Sequence, residues 1–266
     1  PTLEFKEARQ DGNCPQEYIL LRIWQAEDDC GNVATVTQKI TVVDTKAPIL
    51  LGVPSDVTVE CSNVPTPANV KAADNCDLVV DVVYDQQRIN GNCLYNYVLI
   101  RTWTATDDCG NEVVGTQKIT VQDTQAPVLA GIPANITLEC DQPIPTPPVV
   151  NAQDNCDNNP TVSLAVVTLP GNCPEAYVLV RTWTATDACG NSSTGSQTIT
   201  VRDSKAPVFV NIPPTLELEC SDPIPSQQPE VKDNCDNNPQ LTLEETTIPG
   251  QCEQEYTLIR VWTAED

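Results

Sequence analysis

Residues 97–111 read Tyr97-Val-Leu-Ile-Arg101-Thr-Trp103-Thr-Ala-Thr-Asp107-Asp-Cys109-Gly-Asn111, and this stretch decides the fold because the chain contains it repeatedly. It returns almost unchanged at 177–191, in a looser form at 18–32, and in part at 256–266. The tryptophan at its centre stands at positions 24, 103, 183 and 262, which are 79, 80 and 79 residues apart. Self-similarity at a fixed period indicates a repeat protein. We therefore expect an array of similar domains.

The period divides the chain into four parts. We assign 1–44 to the C-terminal part of a truncated repeat, 45–123 and 124–203 to full repeats, and 204–266 to the N-terminal part of a truncated repeat. Both ends of the chain fall inside a repeat, so we expect the sequence to be a piece of a longer repetitive polypeptide. A repeat of about 80 residues has the size of a small independent domain.

Each repeat shows the pattern of an all-β domain. In the third repeat, short apolar or alternating segments indicate strands at 128–130, 136–140, 149–154, 161–169, 177–187 and 197–203. Turn-forming residues separate these segments, and none has helical periodicity. The run 141–148 contains four prolines, which cannot donate hydrogen bonds within a sheet, so we expect it to cross a sheet edge in an extended form. Six or seven short strands of this kind predict a β-sandwich.

Charge and composition exclude several functions. The formal net charge of -23 and the pI near 4.1 argue against nucleic acid or anionic membrane partners. They fit a soluble surface protein, or one that binds divalent cations. The chain has no histidine, which removes Ser-His and Cys-His catalysis, and no glycine-rich phosphate loop is present. No apolar run reaches membrane-spanning length. We therefore do not expect an enzyme, or membrane insertion of this segment.

The 13 cysteines recur in four classes along the repeats. The classes are Cys61, Cys140 and Cys220; Cys76, Cys156 and Cys235; Cys14, Cys93, Cys173 and Cys252; and Cys30, Cys109 and Cys189. Each full repeat thus has four cysteines and little aromatic mass for a core of its size. An even number without Cys-x-x-Cys pairs predicts disulfide bonds rather than zinc. Disulfide bonds imply an oxidising, extracellular location.

Tracing the strands up and down within one repeat predicts which cysteines pair. The first and third classes fall at one end of the sandwich, and the second and fourth at the other. The expected bonds are Cys61–Cys93, Cys76–Cys109, Cys140–Cys173, Cys156–Cys189 and Cys220–Cys252. Each would close a loop worth about 3–4 kcal/mol of unfolded-state entropy. Cys14, Cys30 and Cys235 would then have partners outside this segment. Four cysteines allow three connectivities, so the other two stay open.

Three motifs carry a family resemblance. They are Ala-x-Asp-Asn-Cys-Asp-x-Asn-Pro, Thr-Trp-Thr-Ala-Thr-Asp-x-Cys-Gly-Asn and Val-x-Asp-x-x-Ala-Pro, in this order. They resemble the HYR-like (hyalin-repeat-like) modules, and specifically the four-cysteine version found in tandem in large secreted surface proteins and adhesins of gliding-type bacteria. The resemblance implies an immunoglobulin-like β-sandwich that serves as a stalk, spacer or adhesive surface without catalysis. Asp77-Leu78-Val79 departs from the Asp-Asn-Asn-Pro turn of the other repeats.

Aspartates from separate loops are the candidate metal ligands. Strand tracing places the loop 154–159, the turn after Asp187 and the linker at Asp123 at one end of a domain. Hard oxygen ligands from several loops are what calcium takes. The three corresponding sets are Asp44, Asp74, Asp77 and Asp107; Asp123, Asp154, Asp157 and Asp187; and Asp203, Asp233, Asp236 and Asp266. The alternative is that these side chains only cap turns by hydrogen-bonding their own backbone.

An arginine precedes the tryptophan by two residues in every copy, so both side chains lie on the same face of the strand. A functional interpretation makes the pair a platform for a glycan or an anion. The structural interpretation packs the arginine on the indole as a cation–π contact. Recurrence in each copy favours the structural one. The residues concerned are Arg101, Arg181, Trp24, Trp103, Trp183 and Trp262.

The leading hypothesis is a structural and adhesive one. Tandem immunoglobulin-like modules held by disulfide bonds would form an extended rod, a stalk or filament at the cell surface, with Ca²⁺ as the candidate ion at the joints between repeats. Its partners would be the neighbouring repeats, surface glycans or other copies of itself. The alternative is a module that binds carbohydrate or protein through its loops, and it predicts one copy with distinctive exposed aromatic residues.

Overall fold

A computed structural model describes residues 1–173 and 175–266. These residues form two compact units. The first contains 1–126 together with 154–159 and 187–191, and the second contains 127–153, 160–186 and 192–266. Strands account for the regular structure apart from one 3₁₀ turn at Cys61–Asn63. Within the described ranges there is no α-helix, so none that could span a membrane. The all-β prediction is confirmed.

The first unit contains three sheets. An antiparallel sheet has the order β1-β2-β3, with β1 at Thr2–Asp11, β2 at Tyr18–Glu27 and β3 at Val33–Val42. A two-stranded sheet pairs β4 (Ile49–Leu51) with β6 (Lys71–Ala73). A four-stranded sheet has the order β5-β9-β8-β7, with β5 at Val57–Glu60, β7 at Val82–Asn90, β8 at Tyr97–Thr106 and β9 at Glu112–Gln122. In this sheet β5 lies parallel to β9, and the other pairs are antiparallel.

The second unit contains a four-stranded sheet of the same topology and three two-stranded sheets. Its four-stranded sheet has the order β11-β15-β14-β13, with β11 at Ile136–Glu139, β13 at Thr161–Pro170, β14 at Tyr177–Thr186 and β15 at Ser192–Arg202. The two-stranded sheets pair β10 (Val128–Ala130) with β12 (Asn151–Gln153), β16 (Val208–Val210) with β17 (Glu230–Lys232), and β18 (Gln240–Pro249) with β19 (Tyr256–Glu265). The strands expected in the third repeat are therefore present, and β15 begins earlier than its alternating pattern indicated.

The core lies between the four-stranded sheet and the short two-stranded sheet. Alternate residues of β8 are buried, among them Trp103 and Ala105, because successive side chains of a strand point to opposite faces. The two sheets approach closely at Gly115, where an added Cβ would lie 2.8 Å from Leu50 and 2.9 Å from a methyl of Val53. Only glycine leaves room for this contact. Each full repeat is therefore a small β-sandwich.

The recurring arginine of the motif is buried, but its side chain makes a different contact from the one predicted. Arg101 is 3% exposed and donates hydrogen bonds to the carbonyl oxygens of Pro65 (2.6 Å) and Thr66 (3.3 Å) and to Gln86 Oε1 (3.0 Å). The expected cation–π contact with the tryptophan is wrong, because a buried guanidinium needs oxygen acceptors, and the proline-rich segment supplies carbonyls that no strand uses. Trp103 instead contacts Tyr84, with ring centroids 5.5 Å apart.

The third repeat preserves the same arrangement. Arg181, 4% exposed, donates to the carbonyl of Pro145 and, at 3.3 Å, to Gln197 Oε1. Trp183 is also buried, whereas Trp24 and Trp262 are half-buried. The recurring arginine therefore fixes the proline-rich segment on the sheet, which supports the structural interpretation of the motif.

The disulfide bonds join residues of successive repeats and not residues of one repeat. They are Cys14–Cys109, Cys61–Cys156, Cys93–Cys189 and Cys140–Cys235, with sequence separations of 95 or 96. Their Cα atoms lie 5.1–5.8 Å apart. The first class bonds to the second class of the following repeat, and the third class bonds to the fourth class of the following repeat.

The predicted pairing is therefore wrong for Cys61–Cys93, Cys76–Cys109, Cys140–Cys173, Cys156–Cys189 and Cys220–Cys252. Cys14 and Cys235, expected to bond outside the segment, have partners within it. Tracing strands assigned each class to the correct end of a sandwich, but the loops 154–159 and 187–191 pack in the same unit as residues 1–126. Disulfide bonds consequently join the C-terminal end of one repeat to the N-terminal end of the next. Cys30, Cys76, Cys173, Cys220 and Cys252 are free thiols.

Candidate metal centre

Two loops of the first unit are each shaped by an aspartate. Asp154 Oδ1 accepts hydrogen bonds from the N–H groups of Cys156 (2.8 Å) and Asp157 (2.9 Å). Asp187 Oδ1 accepts from the N–H groups of Cys189 (2.8 Å) and Asn191 (2.9 Å). Short polar side chains form such turns readily. Both cysteines are disulfide-bonded, so each loop is anchored two residues after its aspartate.

The carboxylates of these two loops meet a third carboxylate. One oxygen each of Asp123, Asp154 and Asp187 lies within 4.8 Å of the others. Asp123 is 4% exposed, and Asp187 is 7% exposed. Asn191 Nδ2 donates to the main-chain oxygen of Asp123 at 3.1 Å, which fixes the linker against the loop. Three of the four aspartates that the sequence analysis placed in this set therefore lie close together.

The oxygens of this cluster are short of hydrogen-bond donors. Both carboxylate oxygens of Asp123 and Oδ2 of Asp154 are buried without a partner among the described residues. Burial disfavours the charged form of an acid, and nearby negative charges do so further. Burial, followed by the charges of Asp154 and Asp187, raises the pKa of Asp123 from 3.8 to about 6. Asp123 is thus still mostly ionised at neutral pH, and none of the salt bridges among the described residues compensates its charge.

The other two predicted sets come together in part. One oxygen of Asp44 lies near Asp74 and the Cys76 sulfur, and Asp203 groups with Asp233 and Asp266. Backbone N–H groups of Cys76 and Asp77 hold the pKa of Asp74 below its usual value, and those of Cys235 and Asp236 do the same for Asp233. Oδ2 of Asp44, of Asp74 and of Asp233 is buried and unpartnered within the described chain.

Four predicted ligands lie outside these groups, and each accepts hydrogen bonds. Asp77 accepts the N–H of Asp108 at 2.7 Å and an amide hydrogen of Gln16. Asp157 accepts the N–H groups of Asn159 and Ala188, both at 2.9 Å. Asp107 accepts from Cys109 and Asn111, and Asp236 accepts from Asn238. The turn-capping alternative thus describes Asp107 and Asp236. Asp157 caps its own turn and also binds a second loop, and Asp77 only joins distant segments.

The structure adds a carboxylate that sequence reasoning missed. One oxygen of Glu60, at the end of β5, lies within 4.8 Å of an oxygen of Asp123. Glu60 also accepts the hydroxyl hydrogen of Thr124 at 2.6 Å. A Glu-Cys pair closes the first-class segment of each repeat, as at Glu60, Glu139 and Glu219, and this recurrence was the available signal.

The donor set of the Asp123 cluster consists of carboxylate oxygens from separate segments. Calcium takes six to eight oxygen ligands at about 2.3–2.6 Å in flexible geometry. The Cys156 sulfur near Asp123 and the Cys140 and Cys235 sulfurs near Asp203 belong to disulfide bonds and offer no thiolate. The residues therefore fit a hard divalent cation better than a thiophilic metal.

Solved structures of cadherin type are similar at low identity. Drosophila N-cadherin EC1-4 is 12% identical, with 76% of this chain and 66% of that chain covered and a TM-score of 0.29. The protocadherin GammaB4 extracellular domain is 14% identical, with 96% and 55% covered and a TM-score of 0.36. The protocadherin gammaB7 EC3-6 cis-dimer is 14% identical, with 93% and 83% covered and a TM-score of 0.34. Scores this low support no conclusion about ligands or partners.

No curated protein sequence matches the chain. One family model matches, over residues 128–201, which is the third repeat from β10 to the end of the alternation in β15. The match agrees with the resemblance carried by the cysteine and tryptophan motifs of this repeat. Residues 128–201 are thus similar to the HYR-like domain with 4 cysteines, both in their sequence motifs and by the matching family model.

Proposed function

We propose that the chain is a non-catalytic structural and adhesive segment of a long repetitive extracellular surface protein, a stalk or filament in which calcium stiffens the connection between repeats. The observation that carries this proposal is the buried cluster of Asp123, Asp154 and Asp187, with oxygens that lack donors. Disulfide bonds anchor two of the three contributing segments. Such bonds persist in oxidising surroundings, which supports an extracellular location.

Charge compensation is the reason for proposing a cation at Asp123. A buried carboxylate is unfavourable unless it is paired or coordinates a metal. The described residues form no salt bridge with Asp123, Asp154 or Asp187. Magnesium demands near-ideal octahedral geometry and keeps several waters, whereas calcium accepts carboxylates from flexible loops. Calcium is therefore the ion that this cluster favours.

The three aspartate clusters differ in one linker residue. Lys46 and Lys205 stand two residues after Asp44 and Asp203, whereas Gln125 stands two residues after Asp123. Backbone hydrogen bonds contribute most to the lowered pKa of Asp74 and of Asp233, and the charges of Lys46 and Lys205 lower the same two pKa values slightly further. A lysine ammonium supplies part of the positive charge that a calcium ion would bring. We therefore expect the Asp123 cluster to bind calcium most tightly of the three.

We base the adhesive role on the surface that each repeat presents again, and not on a catalytic or ligand-binding pocket. The net charge of -23 disfavours polyanionic partners. We propose surface glycans or other copies of the same protein as partners, in the setting of secreted adhesins of gliding-type bacteria that the sequence motifs resemble. An array that presents the same surface many times gains avidity from multivalent contact.

Small-angle scattering tests the calcium-stiffened stalk. A repeat built on strands of ten or eleven residues extends about 40 Å at 3.4 Å per residue. In millimolar calcium we expect a rod with a maximum dimension on the order of 130 Å, and in excess chelator a flexible ensemble with a shorter mean dimension. A particle unchanged by chelator would remove calcium from the proposal. A compact particle in both conditions would remove the stalk.

Gln125→Lys provides a matched variant. It restores the linker residue of the other two clusters at an exposed position and leaves all three aspartates in place. We expect weaker calcium binding at the Asp123 cluster, measured by isothermal titration calorimetry, with the same fold by circular dichroism. Unchanged binding in this variant would show that the calcium measured in the wild-type chain binds elsewhere.

A further inference from the structure

The strand β13 forms the edge of its sheet and carries no charged residue. It reads Thr161-Val-Ser-Leu-Ala-Val-Val-Thr-Leu-Pro170, and among the described residues it pairs with β14 alone. Its side chains are exposed from Ser163 onwards, with Val166 at 50% and Val167 at 54%. An edge strand offers unpaired N–H and C=O groups to other chains, and proteins commonly protect such edges with charged side chains. β13 lacks this protection.

The equivalent edge strands do carry charges. β1, β7 and β18 pair with their tryptophan-containing strands in the same register as β13 does. At the position of Ala165 they have Lys6, Asp85 and Glu244. β7 is exposed in the same way, from residue 83 to residue 90. The open edge is therefore a property of the repeat, whereas the absence of charge is a property of β13.

The uncharged edge leaves Arg181 short of an acceptor. In the other copies, the residue opposite the recurring arginine accepts a hydrogen bond from its Nε: Glu7 from Arg22 (2.8 Å), Gln86 from Arg101 (3.0 Å) and Glu245 from Arg260 (2.7 Å). Val166 stands opposite Arg181, whose Nε is buried without a partner among the described residues. An unpaired buried donor destabilises a fold. Such a departure from a local rule is expected where function requires it.

We propose that β13 is a self-association edge, at which the β13 strands of two copies of the chain pair antiparallel across a two-fold axis. A two-fold interface uses the same surface on both copies. With the axis at Ala165, Leu164 of each copy lies opposite Val166 of the other, on the side of the strand that faces Trp183. Apolar cross-strand pairs stabilise a sheet, and main-chain hydrogen bonds along the edge supply affinity.

Charge favours a second copy as the occupant of this edge. At a net charge of -23 two copies repel each other, so contact requires a surface that is locally uncharged. Residues 158–174 contain no charged side chain. The same pairing of β1, β7 or β18 would set Lys6, Asp85 or Glu244 against its own copy, and like charges directly opposite each other destabilise a strand pair. β13 is therefore the edge among these four that permits this pairing.

The test is sedimentation equilibrium of the 266-residue chain, with its free thiols blocked by iodoacetamide and with excess chelator. One pair of edge strands forms a small interface, so the protein concentration covers about 5 to 500 µM, where weak contacts of under about 1,200 Å² become populated. We expect a reversible equilibrium between monomer and dimer. Hydrogen exchange of the amides at 161–169 should slow as the concentration rises.

A double variant, Ala165→Glu with Val166→Glu, copies the Glu244-Glu245 pair of β18 into β13. It places like charges across the axis and gives Arg181 the acceptor that Arg260 has. We expect the dissociation constant of the dimer to rise at least about tenfold, while the thermal midpoint stays equal or rises, so unfolding does not explain the loss. The matched control, Asp85→Glu with Gln86→Glu, puts the same pair into β7 and should leave association unchanged.

A chain that stays monomeric over the whole range would assign β13 to a partner other than itself and overturn the proposal. Dimers that persist in the β13 variant, or that are lost in the β7 control, would overturn it as well. The inference rests on the adhesive role proposed above, but the calcium response of the chain is measured separately by scattering and would survive such a result.

Discussion

Asp123→Asn removes one charge from the buried aspartate cluster and changes little else in size. The raised pKa of Asp123, from 3.8 to about 6, corresponds to about 3 kcal/mol by which ionisation of this group disfavours the folded state without metal. Asparagine cannot ionise, so the substitution removes this term. It also removes a ligand, so the stabilisation that bound calcium provides must fall.

The assay is urea unfolding at pH 7.5, once with excess chelator and once with millimolar calcium. With chelator we expect the variant to be more stable than the wild-type chain by up to about 3 kcal/mol. With calcium at a hundred times the dissociation constant, the wild-type chain gains about 2.7 kcal/mol, and the variant gains much less. The advantage of the variant over the wild-type chain therefore shrinks to about zero when calcium is present.

Asp157→Asn is the matched control. It lies in the same loop as Asp154, but its oxygens accept hydrogen bonds from Asn159 and Ala188. Its loss should destabilise the chain equally with and without calcium. If Asp123→Asn lowers the stability in chelator, or if calcium stabilises the variant as much as it stabilises the wild-type chain, then Asp123 is not an uncompensated ligand.

Three further predictions follow from burial and bonding. Without calcium, the free energy of unfolding should rise as the pH falls from 7.5 towards 5, because a group whose pKa is raised in the folded state gains its proton first in that state. Urea unfolding at each pH measures this rise, and Asp123→Asn should flatten it. The double substitution Cys61→Ser and Cys156→Ser opens a loop of 95 residues and should lower the free energy of unfolding by about 4–5 kcal/mol in guanidinium titrations; a loss below 1 kcal/mol would contradict the bond. Arg101→Met leaves buried carbonyls unpaired and should lower the thermal midpoint by an amount equivalent to about 2–4 kcal/mol, whereas Arg22→Met, whose ion pair with Glu7 is exposed, should lower it by less than about 1 kcal/mol.

Local sequence pattern was sufficient to predict the strands. The alternation in β8 and β15 is set by which face of each strand meets the core, and neighbouring residues alone determine that. The burial of Trp103 and Arg101 follows from the same alternation. The partner of the arginine was not predictable in this way, because the carbonyls of Pro65 and Thr66 come from a segment about 35 residues distant.

The pairing of cysteines depended on information that one repeat does not contain. Strand direction gives the end at which a cysteine lies, but two cysteines at one end of a repeat and two at the start of the next can pair in more than one way. The grouping of Asp123, Asp154 and Asp187 could be predicted, because it depends only on the end of the sandwich at which each residue lies. Asp157 was predicted with this set but lies outside the group of three carboxylates, and its oxygens accept hydrogen bonds from Asn159 and Ala188.

The four disulfide loops overlap in sequence. They span 14–109, 61–156, 93–189 and 140–235, so every peptide bond between residues 14 and 235 lies inside at least one of them. A protease that cuts once anywhere in this range leaves two fragments still joined by a sulfur–sulfur bond. A single backbone cleavage therefore does not sever the segment. A molecule linked in this way can be nicked once in an exposed loop and remain a single covalent tether.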